Sequence, residues 1–178
     1  ARATFFCIGD NVQKHPDIFR RIINEGHALG NHTFNHLKGW KTSKSEYIGN
    51  IRKSEEVMVS EANLEKNKQN ENSSGSKNQK LKFPLFRPPY GKIKNSQAKL
   101  ARQHGFKIVM WDVLSGDYNK KFSAEECYKN VTKNAKAGST IVFHDSWKAF
   151  PNLREILPEI LEYYKKKEYD FRSLKDVL

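Results

Sequence analysis

Apolar runs of strand length alternate with segments of helical periodicity along this chain. Residues 4–8, Thr-Phe-Phe-Cys-Ile, form a β-branched and aromatic run that predicts a first strand. Between 11 and 25, Ile18, Phe19, Ile22 and Ile23 recur at helical spacing, and Gly26 is a natural stop. Residues 27–30 predict a second short strand. Residues 43–65 predict a helix with Tyr47, Ile48, Ile51 and Met58 on one stripe. Residues 81–87 predict a third strand, and Asn95 is placed to cap a helix ending near Gly105. Residues 106–113 are almost all apolar, as a strand buried on both faces should be. Ser123 and Glu126 have the spacing of a capping box that opens the next helix. Residues 139–144 predict another buried strand. Leu153, Ile156, Leu157, Ile160 and Leu161 then mark one side of an amphipathic helix, and Phe171 opens a last short strand or tail.

About six strand–helix repeats argue for an α/β fold with parallel strands and helices packed outside them. In such folds the chemistry sits at the carboxyl ends of the strands. The polar residues just past each strand therefore carry the functional reading. After the second strand stand Asn31-His32-Thr33-Phe34-Asn35-His36. If that turn is helical, His32 and His36 share a face and can grip one metal ion. His27 falls inside the strand and reads as a core histidine. After the third strand, Phe86-Arg87-Pro88-Pro89-Tyr90-Gly91 reads as a stiff turn, with Arg87 able to orient a carboxylate. After the fourth comes the stretch 111–118, in which Asp117 lies just past the apolar run and could orient a histidine or close an Asx turn. After the fifth comes Val142-Phe143-His144-Asp145, where His144 is a general acid candidate.

Composition changes this picture in three places. Residues 67–80 contain no apolar side chain, which predicts a solvent loop or disordered insertion within one domain spanning 1–178. The net charge of +12 favours anionic partners, but the basic residues are scattered. Nucleic acid is therefore not expected as the main partner. Two cysteines, Cys7 and Cys127, are too few for a disulfide framework; Cys7 reads as buried, and the compartment stays open. No apolar run is long enough to span a bilayer, and no signal peptide is visible.

Taken in order, these elements resemble the polysaccharide deacetylases of carbohydrate esterase family four. The matching stretches are Arg2-Ala3-Thr4-Phe5-Phe6, Glu25-Gly26-His27-Ala28-Leu29-Gly30 with the His32–His36 segment, the Arg87–Gly91 turn, residues 111–118 and residues 138–145. The resemblance implies a distorted (β/α) barrel, usually of seven strands. It implies hydrolysis of N-acetyl groups in chitin or peptidoglycan, or O-acetyl groups in xylan, with an acetylated polysaccharide or oligosaccharide as substrate. His32 and His36 match the metal-binding histidines of the family, zinc being expected and cobalt or nickel compatible with imidazole. Arg87 matches the arginine that orients the catalytic base, and the Tyr90 backbone N–H the oxyanion donor. Asp117 matches the carboxylate that tunes the catalytic histidine, and His144 that histidine. Pro89, Trp111 and Tyr118 match substrate-lining positions, with Tyr118 where the family usually has Trp.

One family element has no match. A Thr-Phe-Asp-Asp-Gly-Pro stretch on the first strand supplies the general base and a third metal ligand, and this sequence holds no Asp-Asp pair. The chain is therefore expected to lack the first strand and helix of the barrel, to bind metal weakly through two histidines, and to leave open sheet edges that a partner chain could close. The alternative expectation is a catalytically degenerate relative that binds a glycan or a partner.

Overall fold

The computed structural model describes residues 1–70 and 83–177. It divides into two compact units, Arg2–Val109 with Arg172–Leu178, and Met110–Phe171 joined by Ala1.

In the first unit four strands form one parallel sheet in chain order: β1 (Thr4–Cys7), β2 (Ala28–Asn31), β3 (Leu85–Phe86) and β4 (Lys107–Ile108). The predicted helix at 11–25 is two helices, α1 (Gly9–Lys14) and α2 (Pro16–Asn24). His15 breaks them apart at φ −132° and ψ 59°, because a residue before proline is pushed out of the α region, and Pro16 then starts α2 at no cost in hydrogen bonds. Gly26, at φ 75°, ends α2 as expected. Helix α3 (Lys44–Asn70) outruns its prediction and takes in the first four residues of the expected insertion; residues 71–80 lie outside the described residues. Its stripe faces inward. Tyr47, Ile48 and Ile51 pack with Phe86, Ala101 and Phe106, and Met58 and Ala62 pack with Val12, Phe19 and Phe83. Helix α4 (Asn95–Gln103) begins one residue earlier than expected: Lys94 is the N-cap, and its N–H donates to Gln97 Oε1 at 3.1 Å. Cys7 is only partly buried.

The second unit holds a parallel pair, β5 (Val113–Leu114) and β6 (Ile141–Val142), with helices α5 (Ala124–Asn134) and α6 (Phe150–Lys166). The capping box is formed: Ser123 Oγ accepts from the Glu126 N–H at 3.2 Å, and Glu126 Oε2 accepts from the Ser123 N–H at 2.7 Å. Ile156, Ile160 and Tyr164 of α6 pack against Val113, Cys127 and Val131.

Among the described residues there are six strands, every pairing parallel, as the alternation predicted. The expected strand at 106–113 is two strands, β4 and β5, with the unit boundary between Val109 and Met110. Its apolarity reflects two separate burials rather than one continuous run. At the C-terminus a 3-10 turn, Leu174–Asp176, stands where a strand or tail was expected.

Candidate functional site

Strand register in the first unit sets two loops side by side. Asn31 pairs with Phe86, and the Arg87 N–H donates to the Asn31 carbonyl at 3.0 Å. The residues that follow, His32 to His36 and Arg87 to Gly91, therefore leave adjacent strand ends. The His32–His36 segment is not the helical turn that the spacing suggested. Thr33 and His36 both sit at positive φ, 64° and 54°. The loop still brings the two imidazoles together, with ring centroids 5.0 Å apart and planes inclined at 61°.

Side-chain amides hold this loop. Asn31, fully buried, accepts from the Thr33 N–H at 2.8 Å through Oδ1 and donates to the Ile51 carbonyl at 2.8 Å through Nδ2. Asn50 Oδ1 on α3 accepts from the N–H groups of Phe34 and Asn35, and Asn50 Nδ2 donates to Asn35 Oδ1 at 3.0 Å. Gly9 lets α1 approach: a Cβ there would lie 2.7 Å from Phe34 and 2.9 Å from the Ser54 backbone. Sequence reading missed Asn31 and Asn50. An Asn just past a strand carries no signal that separates loop anchoring from an ordinary turn.

His32 Nδ1 lies 2.5 Å from the Arg87 carbonyl oxygen. That oxygen can only accept, so the hydrogen is on Nδ1 and the lone pair is on Nε2. Two imidazoles in close contact, one with its ligating nitrogen defined by a backbone carbonyl, suit a first-row divalent cation. Among the described residues no cluster of three or more His, Cys, Asp or Glu gathers around them. Arg87 places its guanidinium 4.9 Å from the centre of the Phe6 ring. Pro89 is buried at the start of a 3-10 turn, Pro89–Gly91. Tyr90 sits in that turn at φ 60°, half exposed, with its ring 4.7 Å from that of His36. His27 is mostly covered and packs edge-on against Phe5 at 5.2 Å.

In the second unit the parallel pairing of Leu114 with Val142 brings the ends of β5 and β6 together. Asp117 is 1% exposed. Its Oδ1 lies 2.8 Å from His144 Nδ1 and accepts from the Tyr118 N–H at 2.9 Å; its Oδ2 accepts from the His144 N–H at 2.6 Å. A carboxylate bound to both the backbone and the ring of one histidine fixes where that imidazole points. The Nδ1 hydrogen faces the carboxylate, and Nε2 is the position for proton exchange. The turn before Asp117 depends on Gly116, at φ 86°, where a Cβ would lie 2.8 Å from the Phe122 ring. Asn152 Nδ2 of α6 donates to the carbonyls of Asp117 and Phe122 at 3.3 and 3.0 Å. Burial pushes the thiol of Cys127 up, with the charges of Asp117 and Glu126 adding to the effect. Tyr118 stacks edge-on against His144 at 4.8 Å. Trp111 is half-buried two residues ahead of β5, and among the described residues no ring contact joins it to this pair.

The family described as polysaccharide deacetylase matches residues 1–109. A peptidoglycan-N-acetylglucosamine deacetylase of Bacillus cereus is 38% identical over 146 residues, covering 82% of this chain and 46% of that protein. Chitin deacetylase 2 of Saccharomyces cerevisiae is 33% identical over 150 residues, covering 81% of this chain and 43% of that protein. The chain thus spans somewhat under half the length of these two curated relatives. Among solved structures, the Bc1960 peptidoglycan N-acetylglucosamine deacetylase superposes with a TM-score of 0.83 at 34% identity, covering 98% of this chain and 74% of that one. With this match in sequence and fold, the chain belongs to the polysaccharide deacetylase family.

Proposed function

We propose that the protein containing this chain is a metal-dependent hydrolase that removes acetyl groups from a polysaccharide built of N-acetylglucosamine units. The observation that carries the reading is the Asp117–His144 pair, an oriented imidazole with a buried carboxylate behind it. Its relatives' names point the same way, one to peptidoglycan and one to chitin.

Amide hydrolysis sets three demands: activation of water, stabilisation of the tetrahedral oxyanion, and a proton for the leaving amine. His32 and His36 would hold the divalent cation, zinc being the best match to the imidazole donors. When bound, such a cation polarises the acetyl carbonyl and lowers the pKa of a coordinated water. The backbone N–H of Tyr90 serves as an oxyanion donor. His144 gives the proton to the amine from Nε2, while Asp117 holds the ring through Nδ1. Arg87 would orient a general-base carboxylate; the Thr-Phe-Asp-Asp-Gly-Pro stretch that supplies one in the family has no match in this sequence. Pro89, Trp111 and Tyr118 line the bound sugar.

The test is acetate release from the N-acetylglucosamine tetramer with added zinc, alone and with chelator. Release that chelator stops supports the reading. His144→Ala should abolish release while zinc stoichiometry is unchanged, whereas His32→Ala and His36→Ala should each lose the zinc. Undiminished release by His144→Ala would overturn its role as the acid, and unchanged zinc in both other variants would overturn the metal assignment.

A further inference from the structure

The net charge of +12 belongs to one of the two units. Residues 110–171 hold ten basic and ten acidic side chains, so the whole excess of positive charge lies in the rest of the chain. Within the first unit it is concentrated further. Residues 26–45 hold three lysines and residues 83–111 hold six basic side chains, and neither segment has an Asp or Glu. The fold joins these two segments. Gln97 Nε2 of α4 donates to the carbonyls of Gly39 and Thr42 at 2.9 and 3.2 Å, and Lys94 Nζ donates to the Thr42 carbonyl at 3.0 Å. The loop around the 3-10 turn Gly39–Lys41 is thereby fixed against the start of α4.

Lys41 and Lys44 beside that turn and Lys94, Lys99 and Arg102 along α4 are all exposed. Among the described residues none of the five is in an ion pair. Elsewhere the basic residues of helices meet carboxylates one turn away: Lys14 with Asp10, Arg21 with Glu25, Lys129 with Glu125 and Lys166 with Glu162. Helix α4 is the one α-helix among the described residues with no Asp or Glu. Its inner face holds the buried Gln97, Ala98 and Ala101, which leaves Asn95, Lys99 and Arg102, at i, i+4 and i+7, in a row on the outer face. Like charges at that spacing destabilise a helix slightly, a cost that an anionic partner reverses. Because α4 connects the parallel strands β3 and β4, it runs back from the end of β3 to the start of β4. Lys99 and Arg102 therefore lie progressively farther from the strand ends that bear His32 and Arg87. Lys38 and Lys92 belong to the histidine site instead, over the aromatic corner that Tyr90 and Trp40 form edge-on at 5.4 Å beside His36.

We propose that Lys41, Lys44, Lys94, Lys99 and Arg102 form a docking surface for a linear polyphosphodiester without bases, a polyol-phosphate chain held apart from the histidines. A chain of phosphates fits because the cations form a series along two joined segments. It fits also because four of the five are lysines, which hold phosphate oxygens as point charges without the bidentate geometry that arginine offers a carboxylate. Nucleic acid fits less well: single strands are held on aromatic rings, and α4 has none. A membrane fits less well too, since none of the exposed large apolar side chains falls on α4 to enter a bilayer interface. Such docking needs no acetyl chemistry and stands apart from the hydrolase reading.

The test is equilibrium binding of the full chain to poly(glycerol phosphate), in chelator. Binding should weaken as salt rises from about 50 to about 500 mM with a log–log slope of about 3 to 4, as five phosphate contacts on a flexible strand would give. The variant Lys41→Gln, Lys44→Gln, Lys99→Gln, Arg102→Gln should bind at least about thirtyfold more weakly at the lower salt, with the slope reduced to about 1. The variant Lys120→Gln, Lys121→Gln, Lys133→Gln, Lys136→Gln loses the same charge from the second unit and should bind within about twofold of the unaltered chain. All eight positions are exposed, so both variants should fold. Equal loss of binding in the two variants would overturn the surface and leave net charge as the cause. Tighter binding of single-stranded or duplex DNA of matched phosphate number, or of phosphatidylglycerol vesicles, would overturn the choice of polymer. No measurable binding of poly(glycerol phosphate) at about 50 mM salt would overturn the assignment as a whole.

Discussion

In the first unit the backbone is bent to bring two histidines together, whereas in the second a side chain is fixed to aim one. Thr33, His36 and Tyr90 all occupy the left-handed region that non-glycine residues avoid, each at a cost of about 1 kcal/mol or more. In the His32–His36 loop, Asn31 and Asn50 offset that cost by accepting from the N–H groups of Thr33, Phe34 and Asn35. Asp117 and His144, past β5 and β6, are themselves outside that region, and the left-handed residue next to Asp117 is Gly116. There the orientation comes from a carboxylate that accepts one backbone and one ring hydrogen bond from the same residue. A two-ligand grip needs the distance between two rings, which only the path of the chain can set. A proton donor needs the direction of one ring, which one buried acceptor can set.

Breaking this contrast should affect different properties in the two units. Asp117→Asn keeps the volume and removes the charge behind His144. Acetate release should fall by about 100-fold or more, the range for a misdirected general acid, while zinc stoichiometry stays at the wild-type value. Asn31→Ala leaves the Thr33 N–H and the Ile51 carbonyl buried without their partner. Chemical denaturation should show a loss of about 3 kcal/mol, accompanied by weaker zinc retention. Gly116→Ala adds a Cβ against Phe122 at positive φ and should cost about 2 kcal/mol, with zinc retention untouched. Asn50→Ala should cost about 1 kcal/mol, because its partners lie nearer the surface, and should lower zinc affinity more than stability. If Asn31→Ala and Gly116→Ala disturbed zinc retention equally, the distinction between the two units would fail. The smallest effect is chemical: burial and the nearby carboxylates should keep Cys127 protonated and slow to alkylate in the native state, with rapid labelling in denaturant.

Much of the architecture could be read from local pattern. The stripe of α3, the capping box of α5 and the alternation of strands and helices were legible because side-chain periodicity and capping act within a few residues. The errors have local causes too. Pro16 splits a helix that apolar spacing alone made continuous. The apolar run at 106–113 contains two short strands in two units, and burial on both faces looks the same in either case. The positions of His32, His36, Asp117 and His144 at strand ends were also legible, since an alternating α/β pattern directs attention there.

The amino-acid sequence by itself placed the candidate residues just past particular strands of the strand–helix repeat. The tertiary structure decided what those residues touch. The proximity of His32 to the Arg87 carbonyl depends on the register of Asn31 with Phe86, 55 residues apart in the chain. The hold of Asp117 on His144 depends on pairing across 27 residues. The aromatic corner of Trp40 and Tyr90 joins segments that no motif connects. Strand register is a non-local property, set by which apolar faces bury together, so no window along the chain contains it.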